Sequence, residues 1–381
     1  KGLSLAHLST GFVAVLVGYS SSAAIIFEAT RSLGASEAEI ASWLWALGIG
    51  MGLPTLLLSL YYRMPILAAW STPGAALLVT SLAGVSLPEA VGAFLLCGLL
   101  TTLIGYLGWF ERFMHLIPLP LASALLAGVL LRFGLDAFVS LQHQPLLVGS
   151  MLLVFLLVKK SQPRYVIPLV LLTGLVLSAL LGLLDTSKLS LQWAQPIFTA
   201  PEWNWQVLLG VGLPLFIVTM ASQNIPGVAV LQANGYQAPL TQIIGLTGIT
   251  NLLLAPFGGF AFNLAAITAA ICMGEAVDPD KNRRYLATVS AGIAYIIAGL
   301  FGASITGLFL SFPREMVLAI AGFALLGTIA NSLHTALAEN AEREPALIVF
   351  LVTASGLTLF GLGSAFWGLV LGLVARGWLR R

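Results

Sequence analysis

Charge is what this sequence has least of. Only 8% of its 381 residues are Asp, Glu, Lys or Arg, where a soluble domain of this size carries about 25%. So little charge cannot solvate a globular surface, which excludes a sizeable soluble domain. Cysteine is nearly missing as well. Cys97 and Cys272 both fall in apolar stretches, so they read as small core residues and not as a disulfide framework. The marks of an enzyme are also lacking. There is no Gly-Lys phosphate loop, no paired-histidine metal motif and no nucleophile elbow with plausible partners, so neither catalysis nor a cofactor nor a metal site is expected. The strict polar/apolar alternation of a porin strand is missing too. A net charge of +2 is too small to imply a nucleic-acid partner.

What is present is apolar length. Hydrophobic residues make up 59% of the chain, and the mean hydropathy is +0.98. A hydrocarbon core about 30 Å thick takes roughly 20 apolar residues per helix. Such segments lie at 11–30, 38–60, 65–84, 88–109, 115–138, 145–158, 164–184, 207–231, 238–255, 258–276, 284–309, 313–337, 345–359 and 361–379. The reading is an all-α integral membrane protein of fourteen spans. With both termini in the cytoplasm, only Arg31, Lys188 and Arg314 of the 17 Lys and Arg fall outside, and Arg132 falls within a span. The other thirteen lie inside, as the positive-inside rule requires.

The polar linker from Asp185 to Trp205 divides the spans seven and seven. An odd number per half makes the halves face opposite ways, the inverted repeat of secondary transporters. Two spans at equivalent positions are broken. In the third, Thr72 precedes Pro73 and reads as a cap followed by a first-turn proline, with residues 64–70 extended. In the tenth, Gly258 and Gly259 precede Asn263, a second candidate cap for a half-helix from Leu264 to Gly274. Two half-helices of opposite direction would aim their N-termini, each a partial positive charge, at one central point. Ser-Thr-Pro and Gly-Gly also occur as simple kinks in membrane helices.

Polar side chains cluster in two further equivalent spans. The first holds Tyr19, Ser20, Ser21 and Ser22, and the eighth holds Gln223 and Asn224 ahead of an expected break at Pro226. Amides and hydroxyls in hydrocarbon face either a cavity or another helix. Glu28, near the end of the first span, is the candidate proton carrier, and Arg132 and Asp136 lie one turn apart where they can pair. Most tryptophans and tyrosines, Trp70 among them, read as an interfacial belt.

At Trp70-Ser71-Thr72-Pro73-Gly74, Ser222-Gln223-Asn224-Ile225-Pro226-Gly227 and Phe262-Asn263-Leu264-Ala265-Ala266 the chain resembles the benzoate–proton symporter family BenE. More distantly it is similar to nucleobase transporters and sulfate-type anion permeases. The resemblance runs over essentially the whole chain. It implies a core domain from spans 1–4 and 8–11 (residues 1–110 and 206–310) and a gate domain from spans 5–7 and 12–14 (111–190 and 311–381). It implies a substrate held between the third and tenth spans, with a gate-mediated homodimer compatible with the fold. The nucleobase branch carries carboxylates on its eighth and tenth spans, where this sequence has Gln223 and Asn263, a departure that fits an anionic cargo. The expectation is proton-coupled uptake of an aromatic carboxylate such as benzoate across a bacterial inner membrane. Its site would comprise Tyr19, Ser20, Ser21, Ser22, Ser71, Thr72, Pro73, Gln223, Asn224, Phe260, Phe262, Asn263 and Leu264. A nucleobase or inorganic anion carrier, or an anion channel on the same fold, is the alternative.

Overall fold

The structure is a computed structural model that describes residues 2–162, 165–274, 277–360 and 362–380. For residues 20, 21, 114, 229, 233 and 267 it describes the backbone alone. Helices α1 (Leu5–Ser32), α2 (Glu37–Tyr62) and α4 (Leu87–Tyr106) each open on a reciprocal capping box. Ser4 with His7, Ser36 with Glu39 and Ser86 with Glu89 satisfy two end groups apiece. Between α2 and α4 the chain is extended through β1 (Ala68–Ala69), then forms the ten-residue helix α3 (Thr72–Ser81). After α5 (Phe110–Leu116) come α6 (Leu119–His143), α7 (Pro145–Ser161) and α8 (Val166–Leu180).

In the second half, residues 205–233 form one continuous helical run. Two π-turns, Leu208–Gly212 and Met220–Asn224, separate α9 (Trp205–Val207), α10 (Leu213–Thr219) and α11 (Ile225–Ala233). The expected break at Pro226 is therefore absent. Pro226 stands in the first turn of α11, and the preceding π-turn already rearranges the local ladder. Helix α12 (Leu240–Leu254) ends in a 3₁₀ turn at Gly258, whose φ of 103° only glycine adopts without strain. The chain then runs extended through β2 (Asn263–Leu264) into α13 (Ile267–Ile271). Helices α14 (Tyr285–Leu300) and α15 (Gly302–Ser311) meet at a 70° bend, followed by α16 (Arg314–Leu337), α17 (Arg343–Ser355) and α18 (Ser364–Leu379).

Each of the fourteen apolar segments carries helix. Among the described residues seven helical stretches are long and apolar enough to cross a bilayer alone, and the bent α14–α15 pair makes an eighth. The chain is thus a multi-pass membrane protein. The principal packing pairs are α2 with α14, α4 with α12, α6 with α16, α17 with α18, α6 with α17, α1 with α14 and α7 with α8. Glycine lets the backbones touch: a Cβ on Gly48 of α2 would sit 2.5 Å from the Gly299 Cα of α14. The two breaks pair directly, β1 with β2 antiparallel, Ala68 opposite Leu264 and Ala69 opposite Asn263. Each interrupted span supplies hydrogen bonds for the other's exposed backbone, the condition for irregular chain at membrane depth.

The linker between the halves has almost no regular structure, yet its backbone is bonded to both halves at several points. Asp185 N–H donates to Ser311 O at 3.0 Å, Ala194 N–H to Leu300 O at 2.8 Å, Thr199 N–H to Pro256 O at 2.9 Å and Glu202 N–H to Pro88 O at 3.0 Å. The side chains of Ser304 and Ser42 accept from Gln192 and Ile197. It is a strap across the ends of α2, α4, α12, α14 and α15, with Leu191, Trp193, Phe198 and Trp203 exposed on its outer side.

Candidate functional site

A cavity of about 240 Å³ lies where α1, α3, α13 and the second π-turn converge. Gly18 and Ser22 line it from α1, Thr72 and Pro73 from α3, Ser222, Gln223 and Pro226 from the π-turn and α11, and Ala265, Ala266 and Thr268 around the start of α13. The starts of both short helices therefore border one space. Trp70 and Tyr295 add aromatic walls, and Thr328 of α16 also lines it. None of the lining residues is charged.

The local geometry departs from the sequence reading at both breaks. Ser71, not Thr72, caps α3. Its extended backbone (φ −85°, ψ 100°) turns the hydroxyl onto the Gly74 N–H at 2.9 Å. Thr219 of α10 bonds the same hydroxyl at 2.9 Å, so Ser71 is fully used and buried. Thr72, freed of capping, borders the cavity. Because Pro73 has no N–H and Ser71 serves Gly74 and Ala75, Thr72 offers the one N–H of this turn with no acceptor inside the helix. Asn263 does not cap a half-helix either. It sits in β2, and helix begins only at Ile267, with Ala266 before it and no side-chain cap. The strand pairing with Ala69 holds Asn263 extended. Its Nδ2 donates to Ala261 O at 2.9 Å, and its Oδ1 is buried without a partner.

Of the two amides on the π-turn, the structure separates the roles. Gln223 lines the cavity, and no hydrogen bond engages its side chain among the described residues. Asn224 is fully buried and points the other way, where its Oδ1 accepts the Leu264 N–H at 2.9 Å. It anchors β2 to the eighth segment. Leu264 is 1% exposed and lies behind the cavity wall.

The aromatic partners also differ from expectation. Phe260 packs edge-on against Trp43 at 5.7 Å and tilted against Phe94 at 5.1 Å, deep in the core. Phe262 is packed onto Gly50 of α2. Neither borders the cavity. Trp70 does, and it is buried, not interfacial. Its indole Nε1–H donates to Ser22 Oγ at 2.7 Å, and Ser22 in turn donates to Gly18 O at 2.6 Å. Tyr19 stacks edge-to-face on Trp70 at 4.9 Å and lies 6.1 Å from Tyr295, with its hydroxyl buried and unpartnered. It stands one ring back from the cavity. The side chains of Ser20 and Ser21 lie outside the described residues.

Glu28 is not at this site. Six residues of α1 beyond Ser22, about 9 Å along the helix, carry it away, and it faces a second, larger cavity. Arg132 and Asp136 do pair, at 3.7 Å. Sequence reasoning missed Met51, Thr268, Tyr295 and Thr328 as cavity residues.

The BenE family profile, described as benzoate membrane transport protein, matches residues 1–377. The chain belongs to the BenE family. Over 365 residues it is 50% identical to the inner membrane protein YdcO of Escherichia coli K12, covering 96% of this chain and 93% of that one. It is 40% identical over 372 residues to the benzoate membrane transport protein of Acinetobacter baylyi, covering 98% and 94%. Among solved structures, the BenE chain superposes on the transmembrane domain of the cyanobacterial bicarbonate transporter BicA with a TM-score of 0.65 at 14% identity, covering 98% of each. For the murine Slc26a9 anion transporter the TM-score is 0.62 at 14% identity, covering 100% of this chain and 68% of that one. These distant matches establish a shared fold. The BenE chain is a membrane transporter for a small molecule, not an enzyme.

Proposed function

We propose that this transporter carries an aromatic carboxylate such as benzoate, together with a proton, into the cell by alternating access. The observation that carries the reading is the central cavity itself. Its 240 Å³ lies just below the roughly 300–1,000 Å³ of drug-sized ligand sites, a volume suited to one ring and a short polar group. Trp70 and Tyr295 offer faces for a ring. The start of α3 contributes a helix-end field of about half a positive charge, and Gln223 has free amide donors. With no lining carboxylate, nothing repels an anion. The named relative from Acinetobacter, a benzoate transport protein, agrees in substrate class.

Fourteen crossings in two inverted repeats, with the termini in the cytoplasm of an inner membrane, complete the reading. The packing supports it. Exchanging the halves turns the α2–α14 pair into α12–α4 and α7–α8 into α17–α18, while β1–β2 and α6–α16 map onto themselves. An antiparallel self-pair fits a two-fold axis in the membrane plane. In this scheme residues 1–110 and 206–310 form the moving core and 111–190 and 311–381 the gate. A homodimer through the gate suits the same scheme.

For the proton we assign Glu28. Among the described residues three acidic residues are buried, and Asp278 and Glu342 each have two cationic partners. Glu28 alone lies within a long apolar helix and keeps an oxygen, Oε1, without a bond.

Purified protein in proteoliposomes should accumulate labelled benzoate when the outside is made acidic, and uncoupler should abolish the accumulation. Correctly inserted protein that takes up none would defeat the assignment. Competition by uracil or sulfate would favour the other carrier classes, and flux indifferent to the proton gradient would favour a channel.

A further inference from the structure

A second cavity of about 600 Å³ lies between α1 and α3 on one side and α6, α16 and α17 on the other. It is larger than the central one and differs in kind, because four charged side chains face it. Arg314 Nη1 stands 3.6 Å from Glu28 Oε2, and Arg132 Nε stands 3.7 Å from Asp136 Oδ2. Charge-assisted hydrogen bonds close to about 2.7–2.9 Å, so both pairs are loose. No hydrogen bond from the protein engages either guanidinium among the described residues, and with side chains 56% and 72% exposed both five-donor forks are open to an incoming ligand. Two buried oxygens among the lining residues, one on each side, also lack partners. They are Glu28 Oε1 and Thr353 Oγ1, in residues each 6% exposed. Buried polar atoms are almost always bonded, to water or ligand where not to protein.

We propose that this cavity is a second anion-binding station, where Arg314 and Arg132 capture a carboxylate on its way to or from the central cavity. The proposal rests on the reading that the cargo is a carboxylate. Helix α3 joins the two spaces: Thr72 and Pro73 border the first, Thr80 and Ala83 the second. From Thr72 to Thr80 is about 12 Å along the helix at 1.5 Å per residue, and Leu77 brings the second cavity within about 6 Å of Pro73. The four formal charges sum to zero, so the resting station carries no net charge. A carboxylate enters by exchange, taking the arginine forks that Glu28 and Asp136 hold only at a distance. Bidentate pairing to Arg314, with the Thr353 hydroxyl donating alongside, replaces its one long contact by two short ones. Glu28 is then a competitor for Arg314, which fixes the sign of its substitution.

The test is arginine modification by phenylglyoxal in nanodisc-embedded protein, read by peptide mass spectrometry, with benzoate as the probe. Benzoate should slow modification of Arg314 and Arg132, and should still do so in Gln223→Ala, where the central site is damaged. Glu28→Gln should strengthen the protection. In proteoliposomes Arg314→Gln should raise the benzoate KM about tenfold with Vmax within twofold. Uptake that proceeds normally while Arg314 reacts equally fast with and without benzoate, and an unchanged KM in Arg314→Gln, would overturn the station. If benzoate is not transported at all but formate and acetate protect Arg314, the station stands and the substrate assignment falls.

Discussion

Replacing Ser22 by alanine tests how the central cavity is held. The Ser22 hydroxyl does two jobs in series: it accepts the Trp70 indole N–H at 2.7 Å and donates to Gly18 O at 2.6 Å. Both residues are buried, at 3% and 4% exposure. Alanine leaves the indole N–H without an acceptor in a space that borders the cavity. An orphaned buried donor costs about 1–3 kcal/mol, while the lost hydroxyl volume is small. Because Trp70 forms a wall of the site, much of that loss falls on ligand affinity. At tenfold per 1.4 kcal/mol, benzoate binding should weaken roughly 5- to 150-fold. The control is Trp70→Phe, which keeps a ring but removes the donor. In that background Ser22→Ala has no N–H to orphan and should cost less than about 0.5 kcal/mol. A double-mutant cycle on benzoate KM and on detergent thermal stability isolates the coupling. Equal costs of Ser22→Ala in both backgrounds would refute the claim that this bond orients the indole.

Gln223→Ala should leave folding intact, since the amide supports nothing, and should depress benzoate uptake at least tenfold; a normal KM would remove Gln223 from the site. Gly50→Ala drives a Cβ into the Phe262 ring, so overpacking of about 1–3 kcal/mol should lower thermal stability, and an unchanged melting point would contradict the packing. Asn224→Leu should destabilise by about 1–3 kcal/mol, because the Leu264 N–H loses its acceptor, whereas an unaffected protein would show that β2 holds without it. Asp278 is held below the usual carboxylate range by the Asp280 backbone N–H, then by His7 and Arg283. A depressed carboxylate contributes stability in full above its unfolded value near 3.8 and loses it as pH falls through the lower folded value. Asp278→Asn should therefore flatten the acid limb of a protease-protection profile of the loop before α14, and an acid limb identical to wild type would rule Asp278 out as its cause.

The breaks at the third and tenth segments were legible because they rest on local chemistry. A serine next to Thr-Pro starts a helix wherever the backbone is extended, and Gly258 carries a conformation other residues resist. What could not be read was which of two adjacent hydroxyls would cap, since Ser71 and Thr72 differ only in backbone angles set by the fold. The β1–β2 pairing was equally silent. Ala68-Ala69 and Asn263-Leu264 carry no strand signature, and the pairing joins residues nearly two hundred positions apart. That unseen pairing is what turned Asn263 from a cap into a strand residue. Gln223 stood out because an amide in an apolar span is costly. Tyr295, Thr268 and Thr328 did not, because a lone tyrosine or threonine in a membrane helix has many uses. Trp70 was misread for the same reason: tryptophan is common at interfaces, and only its bond to Ser22 shows it to be a wall of the site.

The strap between the halves bears on how the protein is made. Its early partners, Ser42 and Pro88, are synthesised before it, but Pro256, Leu300, Ser304 and Ser311 come after. At about 5–20 residues per second, the stretch from Asn204 to Ser311 takes roughly 5–20 s to emerge. For that interval the strap is tethered at one side only, and its last hydrogen bonds form when α14 and α15 arrive. The linker is thus the seam on which the second half is registered against the first, and a shortened strap should trap a half-assembled protein that quality-control proteases recognise before any transport can be measured.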